Sequence, residues 1–352
     1  MLAWRVHGFG EPGDVLTAED APAPSAAALA NLCVDLAGLR PLAGPQDAPV
    51  ADWVILRVSR AALGLPDVTM ARGSYPVPIT RPYTAGLEAV GVVEDASPSL
   101  RGWLGKRVVA FTPQPFGALA PLAVGIASAL YEVPSGLSDE EAAAFLIASH
   151  TAWHALVRRG GLRKGESVLV LGAAGGLGSA AVRLAAAVGA RVLAVVGGAE
   201  KAHFCRELGA ERALDHTSSD FAAEARAATG GRGVDVVFDP VQGELGERAR
   251  TALAPEGRQV LCGHAGGIRP IDPRSFYMQN YTLVGATMGA YPPAEGRAIE
   301  ADAHRAILAL LDAGRYRPVV GRVIDFDEVP KALVELAERR SMGRIIVRVG
   351  DG

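Results

Sequence analysis

Apolar residues in the middle of the chain fall into short, unbroken runs separated by polar or glycine-rich spacers. Val168–Leu171 is all apolar and partly β-branched, the pattern of a parallel strand buried on both faces, and Arg191–Val196, Val234–Phe238 and Gln259–Cys262 read as the strands that follow. Between the first two pairs, Ser179–Val188 and Glu200–Leu208 place small and apolar side chains at helical spacing, and Gly189 stands where a helix stops. Alternating strands and helices of this kind predict a right-handed, doubly wound parallel sheet. The first third has another rhythm. Leu2–Val6 and Val15–Thr17 read as a hairpin, and Trp53–Ser59, Leu87–Glu94 and Arg107–Phe111 as short strands punctuated by turn residues, which predicts a partly open β-barrel. Ser138 is a good N-cap, with Asp139, Glu140 and Glu141 suited to a first helical turn, so a helix is expected from there through His154. Thr282–Ala286 is an apolar strand candidate for the far sheet edge, followed by a helix over Ala298–Ala313. Val319–Ile324, Val329–Glu338 and Arg344–Val349 then return to the mixed α+β style. The expected architecture is therefore an α/β wound unit, residues 139–289, inserted in a barrel domain made of residues 1–138 and 290–352. Residues 21–50, rich in Ala and Pro around a short helix over Ala27–Leu36, read as a partly mobile surface insertion.

The turn after the first wound strand carries the chemistry. Leu171 is followed by Gly-Ala-Ala-Gly-Gly-Leu-Gly178 and then by the helix. Strand, glycine turn, helix is the Rossmann phosphate-binding context: missing side chains let backbone N–H groups approach a diphosphate, and the helix N-terminus supplies its positive end. The fingerprint is a variant, Ala173-x-Gly175-x-x-Gly178, with alanine at its first glycine. The second strand ends Val195-Val196-Gly197-Gly198-Ala199-Glu200-Lys201, with no carboxylate directly after it to grip a ribose 2′-hydroxyl. That favours NADPH over NADH, with Lys201 either a cation for the 2′-phosphate or an ordinary solvated residue.

Composition narrows the rest. The chain has 352 residues, enough for two cored domains, and a net charge of −3 gives no pull toward nucleic acid. No apolar run approaches a membrane span, and no signal pattern opens the chain, so a cytoplasmic protein is expected. Cys33, Cys205 and Cys262 offer neither a disulfide framework nor metal spacing. His150 and His154 lie four apart and could present two ligands on one helix face, but without a third they read as satisfied helix histidines.

Several motifs together resemble one family. They are Leu63-Gly-Leu-Pro-Asp67 with Arg72-Gly-Ser-Tyr-Pro76, Pro134-Ser-Gly-Leu-Ser-Asp-Glu-Glu-Ala-Ala143, Thr151-Ala-Trp-His-Ala-Leu156 and the turn Gly172–Gly178, joined by Glu200-Lys201, Gly230-Gly-Arg-Gly-Val-Asp235 and Met342-Gly-Arg-Ile-Ile346. Outside residues 21–50 the chain resembles the zinc-independent medium-chain dehydrogenase/reductases, in the NADPH:quinone oxidoreductase branch. The resemblance implies a GroES-like barrel around the Rossmann unit, an NADPH cofactor, no metal, and a homodimer joined through the Thr282–Ala286 edge. It implies that Ala174, Gly175, Gly176, Leu177 and Gly178 cradle the diphosphate. Thr151, Gly263 and Met288 would lie at the nicotinamide end. Gly197, Gly198, Lys201, His216 and, more loosely, Arg339 would surround the 2′-phosphate, with Tyr75 and Thr69 bordering the substrate cleft. Three positions depart from the family pattern. Gly64 stands where asparagine is common, Gly198 where serine is common and His216 where tyrosine is common, so each removes or alters a polar contact. The implied reaction is hydride transfer to a quinone or an α,β-unsaturated carbonyl, with Tyr75 or water as proton donor. An enoyl-thioester reductase, an alcohol dehydrogenase and a non-catalytic NADPH-binding protein are the alternatives.

Overall fold

The structure, a computed structural model, describes residues 1–29 and 52–350. Residues 30–50 of the expected insertion, with most of the expected helix over Ala27–Leu36 and Cys33, lie outside the described residues; a helical turn, Ala26–Leu29, is seen before them. In chain order the strands are β1 Leu2–Val6, β2 Leu16–Asp20, β3 Trp53–Leu63, β4 Tyr83–Thr84, β5 Glu88–Ala96, β6 Arg107–Phe111, β7 Leu122–Ile126 and β8 Leu130–Glu132. They continue with β9 Ser167–Leu171, β10 Arg191–Val196, β11 Arg212–Asp215, β12 Val234–Asp239, β13 Leu253–Leu261, β14 Thr282–Gly285, β15 Val320–Ile324 and β16 Arg344–Arg348. The chain divides into two compact units, one of residues 1–147, 289–301 and 320–352, the other of residues 148–288 and 302–319.

In the second unit six strands run parallel in the order β11-β10-β9-β12-β13-β14. The order reverses between β9 and β12, which makes the carboxyl ends of these two strands the switch point where open α/β sheets bind ligands. Every residue of β9 is buried, as its unbroken apolar run requires. The expected wound elements are present within two residues at most ends, but β13 begins at Leu253, earlier than Gln259. Among the described residues the elements that went unread include β11, the helix Phe221–Ala228 capped by Asp220, the helix Gly243–Arg250 and the short helix Arg274–Tyr277. β14 takes the outer edge and pairs with β13.

In the first unit β15-β16-β3-β5-β6-β8 form one sheet with β7 also on β3, and β2-β1-β4 form a second. All pairs are antiparallel except β15 with β16. Val54, Leu56, Val58, Ala89, Val108 and Ile345 point into one core between these layers. Two expectations need correction here. The helix expected from Asp139 through His154 is broken: Asp139–Ala143 ends at Ala144, Leu146–Trp153 follows, and His154–Arg159 continues with wider π-type turns. Fully buried Phe145 sits at the break. The domain boundary also lies later than residue 138. Asp139 accepts hydrogen bonds from Ser59 and Arg107, and Glu140 pairs with Arg60, so the first of these helices is tied to β3 and β6 of the barrel.

Candidate active site

In the second unit the turn after β9 is built from glycine and alanine. Gly172 takes φ +59° directly after β9, and the helix Gly176–Ala187 begins at Gly175, with no side chain capping its first turn. The N–H groups at that end are therefore unspent by any side-chain cap. Gly178 lets the helix start close against the strand, because a Cβ there would lie 2.1 Å from the Gly172 carbonyl oxygen. Gly175 has no such constraint; its Cβ would make ordinary contact at 3.4 Å. Ala173 and Ala174 are buried, so alanine is tolerated at the first fingerprint position. These features fit the diphosphate of a dinucleotide.

Of the other candidate cofactor residues, Gly197, Gly198 and Gly263 follow the carboxyl ends of β10 and β13. Gly197 and Gly198 follow β10, and a Cβ on Gly197 would stand 3.3 Å from the His216 ring. Gly198 takes φ +92° and caps the helix Ala199–Glu207, which carries Lys201. Burial lowers the pKa of Lys201, partly opposed by Glu200, and burial also holds His216 toward its neutral form. Gly263, after β13, packs on the Pro240 carbonyl, and its own carbonyl accepts from Gln242 Nε2 at 2.5 Å. Thr151 is half-buried on the helix Leu146–Trp153, and Met288 is half-buried beyond β14. Arg339 belongs to the barrel unit, where it takes φ +60° after the helix Val329–Ala337.

Two carboxylates at this edge were not singled out from sequence. Asp215, ending β11, accepts from the Gly198 N–H at 3.2 Å and from the Thr217 N–H and hydroxyl at 2.9 and 2.7 Å. Those hydrogen bonds keep its pKa low. Asp239, ending β12, is fully buried and accepts from the N–H groups of Val241 and Gln242 and from Gln259 Nε2. It fixes the loop that holds Gly263. A strand-ending Asp is the signal that could have found both.

In the barrel unit Thr69 and Tyr75 come together. Thr69 lies on the helix Leu65–Ala71, and its carbonyl accepts the N–H groups of Ser74 and Tyr75 at 2.9 and 3.1 Å. Tyr75 packs half-buried on the barrel core. Burial, then the charge of Asp67, push its phenol pKa up, so it stays protonated. Asp67, two residues before Thr69, is buried and accepts the N–H groups of Gly64 and Gly86 at 2.8 and 3.2 Å. Burial raises its pKa to about 6. The space that a side chain at Gly64 would enter is held by Arg344, whose Nη1 would lie 2.9 Å from that Cβ. Arg344 pairs with fully buried Glu88 at 2.7 Å.

Residues 176–303 match the zinc-binding dehydrogenase family, and residues 50–126 match the alcohol dehydrogenase GroES-like domain. Among the described residues no group of three or more His, Cys, Asp or Glu side chains could hold a metal ion, so the zinc of that family description has no ligand set there. The quinone oxidoreductase of Thermus thermophilus, solved also with NADPH, is 34% identical, with TM-score 0.78 over 99% of this chain and 100% of that one. The bovine (Bos taurus) quinone oxidoreductase-like protein 2 is 28% identical over 90% of this chain and 91% of its own. A phenolphthiocerol/phthiocerol polyketide synthase of Mycobacterium tuberculosis is 40% identical over 216 residues, 61% of this chain and 10% of that protein. The match thus spans about a tenth of that synthase's length. A Rossmann unit with a bare glycine turn, joined in one chain to a GroES-like barrel, defines an oxidoreductase that uses a nicotinamide nucleotide. The chain belongs to the medium-chain dehydrogenase/reductase superfamily, in its quinone oxidoreductase branch.

Proposed function

We propose that this protein is an NADPH-dependent reductase of α,β-unsaturated carbonyl compounds, quinones included. The observation that carries the reading is the uncapped helix start at Gly175 against β9, at the switch point of the parallel sheet. Gly175–Gly178 bind the diphosphate through backbone N–H groups. Gly197 and Gly198 leave room for a 2′-phosphate beside Lys201 and His216, and the nearby Asp215 carboxylate is already engaged by three donors. Thr151, Gly263 and Met288 border the nicotinamide end. When bound, the reduced nicotinamide supplies the hydride. Tyr75, held protonated by burial, donates to the acceptor's carbonyl side or gives it a proton, and Thr69 borders the same cleft.

A second reading, that the unsaturated carbonyl is a thioester, is favoured by the identity to a polyketide synthase. Stopped-flow loss of NADPH absorbance with a quinone, a simple enone and a crotonyl thioester separates the cases. We expect turnover of at least one, with NADPH preferred to NADH. Tight NADPH binding without oxidation by any of them would leave a nucleotide-binding protein and end the reductase reading. We also propose a homodimer joined edge to edge at β14, because the apolar Leu283 is exposed on that strand.

A further inference from the structure

One residue just beyond the parallel sheet holds a backbone conformation that its type avoids. Gln242, after β12, has φ +55° and ψ −146°, a region left almost wholly to glycine. Gly243 follows it at φ +58°. A strained residue persists only where its surroundings over-determine it, and here they do. Buried Asp239 accepts the Gln242 N–H at 2.6 Å and the Val241 N–H at 2.9 Å. The segments that follow β12 and β13 also stay paired. The N–H groups of Cys262, Ala265 and Gly266 donate to the carbonyls of Asp239, Pro240 and Val241 at 3.1, 3.2 and 2.6 Å. A Cβ on Gly243 would meet the Gly266 carbonyl oxygen at 2.4 Å, and one on Gly263 the Pro240 carbonyl oxygen at 2.7 Å, so the two segments touch backbone to backbone.

What this conformation achieves is a bond from the side chain. Gln242 Nε2 donates to the Gly263 carbonyl at 2.5 Å. The peptide from Gly263 to His264 is trans, so its N–H points opposite to its carbonyl, away from the Gln242 amide. Holding the oxygen therefore fixes the direction of the His264 N–H, and polarises it as a donor. Among the described residues no acceptor meets that N–H.

We propose that Gln242 is a positioning residue for the nicotinamide end of the cofactor, holding the Gly263–His264 peptide so that the His264 N–H meets the carboxamide oxygen. This rests on the reading above that puts Gly263 at that end, and it uses residues of the second unit alone. A carboxamide held by a fixed donor keeps the ring from turning about its bond to the ribose, so one face is offered for hydride transfer.

The test is Gln242→Gly. Glycine takes this backbone without strain, so the variant loses the amide and keeps the loop. Calorimetry compares wild type and variant on NADPH, on 2′-phospho-ADP-ribose, which lacks the nicotinamide, and on thio-NADPH, whose carboxamide oxygen is replaced by sulfur, a weaker acceptor. Wild type should bind thio-NADPH about three- to tenfold more weakly than NADPH. In the variant NADPH should weaken by a similar factor and lose its advantage over thio-NADPH, while 2′-phospho-ADP-ribose binds as in wild type. Gln242→Glu keeps the side-chain length without the donating amide, and repeats the comparison should the glycine loosen the loop. Equal losses for NADPH and 2′-phospho-ADP-ribose would overturn the proposal, making Gln242 a support of the fold alone. So would unchanged NADPH affinity, or a preference for oxygen over sulfur that is absent from wild type or undiminished in the variants. If wild type binds none of the three, the nucleotide reading fails and takes the proposal with it. If it binds them but reduces no acceptor, only the reductase reading fails, and the affinities still judge Gln242.

Discussion

At the scale of single residues, the most constrained position is Gly178. Any Cβ there meets the Gly172 carbonyl oxygen at 2.1 Å, a backbone atom that cannot swing aside. Gly178→Ala should therefore cost about 1–3 kcal/mol of stability as an overpacked site and displace the first helical turn from the position in which it is proposed to bind phosphate. Thermal melting with NADPH titration checks both; a variant that binds NADPH as wild type does would refute the assignment of this turn. Glu300 makes the opposite case, a residue whose replacement should help. Burial raises its carboxyl pKa to about 7. Its folded value lies above its unfolded one, so its contribution is favourable at acid pH and is lost as pH rises through about 7. Glu300→Gln should thus raise stability on the order of 1–2 kcal/mol at about pH 8 and do little at acid pH, as thermal melts at both would show. The glycine turn was legible because its requirement, no side chain, is written in the residue type. Arg344 with Gly64 was not, since the two meet only once β16 pairs with β3. From sequence Gly64 read as a lost contact; in the fold its space is filled by a guanidinium.

At the scale of elements, the last half of the helix Pro293–Asp312 and the segment that follows it are each fastened to the helix Leu146–Trp153 by a polar pair. His150 Nε2 and His304 Nδ1 lie 3.2 Å apart, and the hydroxyls of Ser149 and Tyr316 lie 2.6 Å apart. Sequence spacing gave His150 a face but not its partner, which comes from a helix more than a hundred residues away. Burial pushes His150 down to about 3, helped by the charge of His304, and His304 down to about 4. The unfolded chain binds these protons first, so the stability due to both neutral rings is whole above pH 6.5 and is lost as pH falls toward 4 and 3. Unfolding free energies from urea titrations should fall from about pH 7 to pH 5 with a slope of up to about 1.4 kcal/mol per pH unit for each histidine. His304→Leu should flatten that slope; an unchanged slope would remove the pair as its origin. The wound strands were readable because burial on both faces writes an unbroken apolar run. β11, Arg212–Asp215, mixes charge into its four residues, and β7 and β8 are short barrel strands without an alternation to mark them.

At the scale of the whole molecule, the question is what the parallel sheet does with its open side. β14 pairs with β13 along one edge, and its other edge is the end of the sheet. Leu283 on that strand is 40% exposed, and Tyr277 and Met278 just before it are 65% and 67% exposed. An exposed edge strand carrying apolar side chains invites pairing, and soluble proteins protect such edges or use them. In the proposed dimer two copies of β14 pair across a twofold axis, so the same strand serves both sides and every contact is made twice. A charge at the centre of that seam is therefore doubled and faces itself. Leu283→Lys should convert the proposed dimer to a monomer in light scattering coupled to size exclusion, while NADPH affinity, proposed to be set at the strands' carboxyl ends, stays as in wild type. A wild-type protein that is monomeric at micromolar concentration would refute the edge-to-edge assembly. A lysine variant that stays dimeric would move the seam to another surface.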